Sequence, residues 1–261
     1  MSSFSYSTLL VADDGEARTL TLNNPARKNA IGPVMVNELL WALGDAVEAG
    51  NVRVIVITGA GDAFCAGGDF GQMTGAAGTS ELPPKGDYAD LLLALVNCTK
   101  PVVARVNGHA MGGGLGLVAA AHFAIGARGA KLGTPEINVG LFPMMIMAVL
   151  QRVMPRRKLL AMMLLGERME ADEAVACGLL GKAVEPSDLD ATVKHVTDAI
   201  ASKSPVAVRL GLQALAAQDD LDLETALPLL RERLADELAT DDAREGLMAF
   251  LEKRTPKWTG R

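Results

Sequence analysis

Two glycine clusters and one glutamate carry the residue types that could do chemistry in this chain. The segment Ala104-Arg105-Val106-Asn107-Gly108-His109-Ala110-Met111-Gly112-Gly113-Gly114-Leu115-Gly116 begins in a β-branched run, 101–106, and ends in glycines that open an apolar helix. Glycines let a ligand approach the backbone closely. A helix start behind them presents free N–H groups and a positive dipole end, which suits a developing negative charge. A second stretch of this kind follows the strand-like run 52–58, in Phe64-Cys65-Ala66-Gly67-Gly68-Asp69. Two such turns in one domain can offer two N–H donors to one oxygen. The glycines alone also fit close helix-to-strand packing.

A charge-stabilising site needs a proton carrier. Glu136 is the candidate: Pro135 before it restricts the local backbone, and apolar surroundings would raise its pKa toward neutrality. On its own residues it is equally readable as a surface-loop glutamate. Cys65 lies inside the upstream turn, but no histidine stands near it in sequence, and a nucleophilic thiol needs an activating partner. His122 is expected to be a structural histidine. Glu81 and Asp87, in or beside the loop over 71–85, are spare carboxylates that could swing into the pocket, and neither is assigned a role. The cysteines, Cys65, Cys98 and Cys177, show no metal spacing. The glycine cluster fails the G-x-G-x-x-G dinucleotide pattern at Leu117, and neither H-E-x-x-H nor G-x-S-x-G occurs.

The elements that must position these residues alternate. Residues 7–12 and 17–22 read as a β-hairpin around Asp13-Asp14-Gly15. Pro33 starts a helix with Val36, Leu39, Leu40 and Leu43 at helical spacing. Strand 52–58 follows, then a loop over 71–85 expected to be mobile, a helix over 87–98, strand 101–106, a glycine-led helix over 112–121 and a short strand at 123–126. From Phe142 onward almost everything is helical, with amphipathic stretches at 171–176, 189–203, 206–217 and 223–237. Strands alternating with helices imply an α/β fold with largely parallel pairing.

Several motifs occur together: Asn24-Pro25 with Lys28-Asn29-Ala30, then Ala63-Phe64-Cys65-Ala66-Gly67-Gly68-Asp69, Asn107-Gly108-His109-Ala110-Met111-Gly112-Gly113-Gly114, Gly133-Thr134-Pro135-Glu136, and the C-terminal run Glu245-Gly246 through Lys253-Arg254. In this order they resemble the crotonase, or enoyl-CoA hydratase/isomerase, family over essentially the whole chain. The resemblance implies a ββα spiral core over 1–200 that binds CoA and the acyl group. It implies a C-terminal helical oligomerisation region over 201–261, giving a trimer or a dimer of trimers; an ordinary helical cap is the other reading of that region. It implies an acyl-CoA substrate, with no cofactor beyond the coenzyme A that substrate carries. Charge on the thioester oxygen would be held by the backbone N–H groups of Gly68 and Gly113, with Glu136 moving the proton. Lys28, Ala30, Ala66, Gly67 and Asp69 would line the CoA track, and Lys253 and Lys257 could meet its phosphates, or else be surface lysines.

The chain also departs from the family pattern. Gly116 stands where hydratases of the family carry a second glutamate, and Met144-Met145-Ile146-Met147 replaces a glycine-rich segment after Pro143. Two carboxylates hold and polarise water for hydration, whereas one can carry a proton between two carbons. The expected activity is therefore single-glutamate isomerisation of an enoyl-CoA double bond. Hydration with another water anchor, or acyl-CoA binding without catalysis, are the alternatives. The methionines are expected to fill core gaps, the alternative being that they narrow the acyl pocket.

Composition bounds the rest. With 261 residues, 49% of them hydrophobic and 21% charged, the chain can bury a sizeable core. Its net charge of −6 and pI near 5.2 argue against a nucleic-acid partner. The odd set of cysteines suggests reduced thiols and a cytoplasmic location. Residues 1–6 lack the basic and apolar regions of a signal peptide. The longest low-polarity run, 139–150, is too short to span a bilayer and contains Pro143, so no membrane partner is expected.

Overall fold

The computed structural model describes residues 5–69, 71 and 80–261. Within them the chain winds as a spiral that feeds two sheets in turn. The hairpin β1 (Leu9–Asp14) and β2 (Ala17–Leu22) precedes α1 (Pro33–Glu48). Then β3 (Val54–Gly59) enters the large sheet and β4 (Ala63–Cys65) the small one. Helix α2 (Tyr88–Val96) leads to β5 (Val102–Val106) in the large sheet and β6 (His109–Met111) in the small. Helix α3 (Gly113–Ala120) leads to β7 (Phe123–Ala127) and β8 (Lys131–Gly133) in the same alternation. The large sheet runs β1-β2-β3-β5-β7-β10 and the small one β4-β6-β8-β9, where β9 is Arg168–Glu170 and β10 is Lys182–Val184. Among the described residues, only the β1–β2 and β8–β9 pairs are antiparallel.

The apolar pattern explains the layering. All of Val54–Gly59 is buried, as expected for a strand covered on both faces. Ile55, Ile57, Val102 and Ala104 face the main core, with α1, α2 and α3 packed there. Val54, Val56, Val103 and Ile125 face the other way, onto Leu189 and Val193 of α7 (Leu189–Ala201). Helix α3 carries no polar side chain and is buried at every position after Gly113, so it runs through the core.

After β8 the chain makes a 3-10 turn, Pro135–Val139, and continues through α4 (Met144–Val153), α5 (Arg156–Leu165) and α6 (Ala171–Ala176). Helices α8 (Pro205–Gln218), α9 (Leu223–Leu238) and α10 (Asp241–Glu252) complete it. The helical expectation beyond Phe142 needs one correction, because β9 and β10 lie within that region and close the edges of both sheets. The expected loop over 71–85 falls mainly outside the described residues, and 80–87 is irregular.

A second correction concerns how the glycines are delivered. Strand β5 does not run straight into Gly112. It ends at Val106, turns at Asn107-Gly108, and the three-residue β6 carries the chain to the cluster. In the same way β4, and not β3, delivers Gly67-Gly68.

Candidate active site

Three adjacent parallel strands of the small sheet end at the site. Cys65 of β4 pairs with Ala110 of β6, and Met111 of β6 with Gly133 of β8. Neighbouring strands lie about 4.8 Å apart, so the residues that leave their C-terminal ends are held side by side. Those residues are Gly67-Gly68, Gly112-Gly113 and Thr134-Pro135-Glu136. Gly68, Gly113 and Glu136 line one cavity of about 350 Å³.

The turns are built to leave backbone donors available. Ile31 N–H donates to Gly67 O, and Asp69 N–H donates to Ile31 O. This fixes both sides of Gly68 while its own N–H is bonded to none of the described residues. Gly67 has φ +102, and a Cβ on it would lie 3.2 Å from Met111 O, so only glycine lets the two turns approach. Gly112 N–H donates to Gly133 O, while Gly113 begins α3 and its N–H has no partner among the described residues.

Glu136 follows Pro135 in the 3-10 turn, whose carbonyl O at Glu136 accepts the N–H of Leu141. Its Oε2 is buried and has no hydrogen-bond partner among the described residues. Burial pushes the carboxyl above the usual glutamate range. A carboxylate with one such oxygen, beside two amides that have no partner among the described residues, can take up and release a proton at an atom whose charge the amides stabilise.

The remaining proposed positions divide. Lys28 is exposed in a left-handed conformation, and its carbonyl accepts the N–H of exposed Ala66. Ala30 is buried beside Ile31 of the cavity wall. Asp69 is buried, with Oδ1 2.9 Å from Arg27 Nη2, tying the β4 turn to the 25–27 segment. Lys253 and Lys257 do not line the cavity; both are exposed at the end of α10. There the C-terminal motif closes on itself. Glu245 accepts two bonds from Arg254 and one from the Lys257 N–H, and Arg254 holds its carboxyl down at about 2.

The motif asparagines hold the site together from outside. Buried Asn29 donates to Ala60 O and Ala63 O, and Asn107 accepts from Gly59 N–H and Thr58 Oγ1. His122 accepts the Val102 N–H through Nδ1, and burial pushes its pKa down, so it serves the sheet. Burial pushes the Cys65 thiol up to about 12, so it is no thiolate at neutral pH. Among the described residues no cluster of three or more His, Cys, Asp or Glu is placed to hold a metal.

Sequence reasoning missed one part of the cavity and ranked another second. The Tyr88 ring lies over Gly113, with its hydroxyl donating to Gly113 O at 2.5 Å. The signal was a tyrosine directly after the capping Asp87, whose Oδ1 accepts the Ala89 and Asp90 N–H groups. Met144 and Met145 line the cavity and are exposed by 62% and 50%, so they are not core fillers, whereas Pro143 and Ile146 on either side of them are buried.

A ββα spiral with one cavity at the ends of three parallel strands defines the class of this molecule. The model of the enoyl-CoA hydratase/isomerase family matches residues 16–261. The mitochondrial enoyl-CoA hydratase domain-containing protein 3 of Rattus norvegicus is 33% identical over 250 residues, covering 93% of this chain and 81% of that protein. The short-chain-enoyl-CoA hydratase of Clostridium acetobutylicum is 30% identical over 94% of this chain and 95% of its own. The crystal structure of a Mycobacterium smegmatis enoyl-CoA hydratase superposes with a TM-score of 0.88 at 34% identity, covering 97% of this chain and 99% of that one. The chain belongs to the enoyl-CoA hydratase/isomerase, or crotonase, family and is an enzyme of it.

Proposed function

We propose that this enzyme isomerises the double bond of an enoyl-CoA, with Glu136 as its single proton carrier. In this reading the Glu136 carboxylate removes a proton from C2 of a 3-enoyl-CoA. The electrons move into the thioester, and the Gly68 and Gly113 N–H groups hold the charge on its oxygen. The same carboxyl returns the proton to C4, leaving a 2-enoyl-CoA. Lys28, Ala30, Ala66, Gly67 and Asp69 would follow the CoA moiety, with Lys253 and Lys257 reaching its phosphates from a neighbouring subunit. The coenzyme A is part of the substrate, and no separate cofactor takes part.

The observation that carries the reading is the isolation of Glu136. Asp87 is the other carboxylate residue lining the cavity among the described residues, and it caps α2. A side chain at Gly116 would begin 2.5 Å from Ile146 Cγ2. A second carboxylate to anchor water therefore has no place there. The test is a paired assay on crotonyl-CoA and 3-hexenoyl-CoA, with Glu136→Gln beside the parent. Glu136-dependent conversion of the 3-enoyl substrate alone supports isomerisation. Glu136-dependent hydration of crotonyl-CoA would replace it with the second reading, which the names of the relatives favour.

The three free thiols fit a cytoplasmic location. Among the described residues no helix is long and apolar enough to cross a membrane.

A further inference from the structure

Tyr88 and Gly116 meet at the position where the chain departs from its family. A Cβ on Gly116 would fall inside contact distance of the Tyr88 hydroxyl and 2.5 Å from Ile146 Cγ2. With the tyrosine in this place, a side chain at position 116 has no room. The same hydroxyl donates to Gly113 O at 2.5 Å, and its ring atoms lie 3.5–3.7 Å from where a Gly113 Cβ would stand. Tyr88 also lines the cavity beside Glu136. It is held on the first turn of α2 by the Asp87–Asp90 capping box, so its place is set by a rigid element.

We propose that Tyr88 is a positioning residue for this active site. Its hydroxyl anchors the Gly113–Gly114 peptide at the first turn of α3, and through the Gly113 backbone dihedrals it steadies the preceding peptide, whose N–H faces the thioester oxygen. Its presence against Gly116 keeps any second proton carrier out of α3. The inference rests on the proposed use of the Gly113 N–H as an oxyanion donor, and it does not depend on whether the substrate is isomerised or hydrated.

The experiment follows exchange of the α-protons of butyryl-CoA into D2O by NMR, which reads the proton carrier and the oxyanion donors without a double-bond substrate. Tyr88→Phe keeps the ring and loses one hydrogen bond. It is expected to slow exchange about fivefold while leaving the Kd for butyryl-CoA unchanged; a merely structural role would move Kd and Tm together. Gly116→Ala in the parent is expected to slow exchange and lower Tm. In the Tyr88→Phe background it should cost less, because one of the two colliding groups, the hydroxyl, is gone while Ile146 Cγ2 remains. Exchange at the parent rate in Tyr88→Phe, or strictly additive effects of the two changes, would overturn the proposal. Normal exchange with no conversion of 3-hexenoyl-CoA would sink the isomerase reading and leave Tyr88 where it is. Absence of exchange in the parent would overturn both.

Discussion

The α-carbon of Gly112 lies against the carboxylate of Glu136: a Cβ there would stand 2.6 Å from Oε1. Gly112 also holds φ +48 with ψ −122, a region that side chains other than hydrogen rarely enter. Glycine at this position lets the proton carrier sit beside the start of α3, next to the Gly113 amide. Gly112→Ala should therefore damage the site more than the fold. The colliding atom is the end of a flexible side chain and can swing away, so the stability cost is the backbone strain, about 1–3 kcal/mol. Displacement of Glu136 should lower kcat about 100-fold or more, and urea unfolding read beside steady-state kinetics separates the two effects.

Glu136 ties activity and stability to pH in opposite directions. Burial raises its pKa above the ordinary value near 4.5. The ionised form is the one that removes a proton, so activity should rise with pH along a limb lying above the usual glutamate range. For stability, a folded-state pKa raised above the unfolded one favours the folded form below the unfolded pKa. That advantage is lost as pH climbs through the folded pKa. Glu136→Gln should therefore melt above the parent at pH 7, with the difference shrinking as pH falls toward 4.5. A lower Tm for the variant at pH 7 would contradict the burial argument.

Cys65 should be chemically silent. It is fully buried and its thiol is pushed up to about 12. Iodoacetamide at pH 8 should label half-buried Cys177 first and leave Cys65 unmodified in the native protein, as peptide mass spectrometry would show. Cys65→Ala removes the Sγ that accepts the Gly67 N–H. It should cost about 1 kcal/mol of stability and retain turnover within a few-fold, an outcome that a catalytic thiol would not survive.

The C-terminal helices carry large apolar residues that are exposed among the described residues. Leu223, Leu227, Leu234 and Leu238 recur along α9 at helical spacing, each more than half exposed, and Phe250 on α10 is 82% exposed. Such faces mark interaction surfaces, as the proposed oligomerisation role of 201–261 requires. Light scattering should return a multiple of 27.3 kDa with trimeric stoichiometry, and Phe250→Asp with Leu227→Asp should reduce it. A monomeric parent would remove the oligomer from the proposal.

Much of the site was legible because its chemistry depends on local sequence. Gly67-Gly68, Gly112-Gly113 and Thr134-Pro135-Glu136 are recognisable where they stand, since a tight turn needs glycine or proline regardless of what surrounds it. The long strands were legible too: the buried run of β3 and the alternating hairpin extend far enough for a period to show. Strands β4, β6 and β8 are three residues each, too short to carry a two-residue period, so the second sheet was invisible until their pairing was seen.

The sequence by itself placed the glycine turns and Glu136 as candidates, and the order of its motifs, through the family resemblance, assigned them roles as oxyanion donors and proton carrier. Tertiary structure decided that they share one cavity, that Met144 and Met145 face it, and that the Tyr88 hydroxyl occupies the space a side chain at Gly116 would need. The division has a physical cause. A glycine turn or a proline restricts its own dihedral angles, whereas a contact between α2 and α3 exists only after the spiral has brought separate turns of chain together.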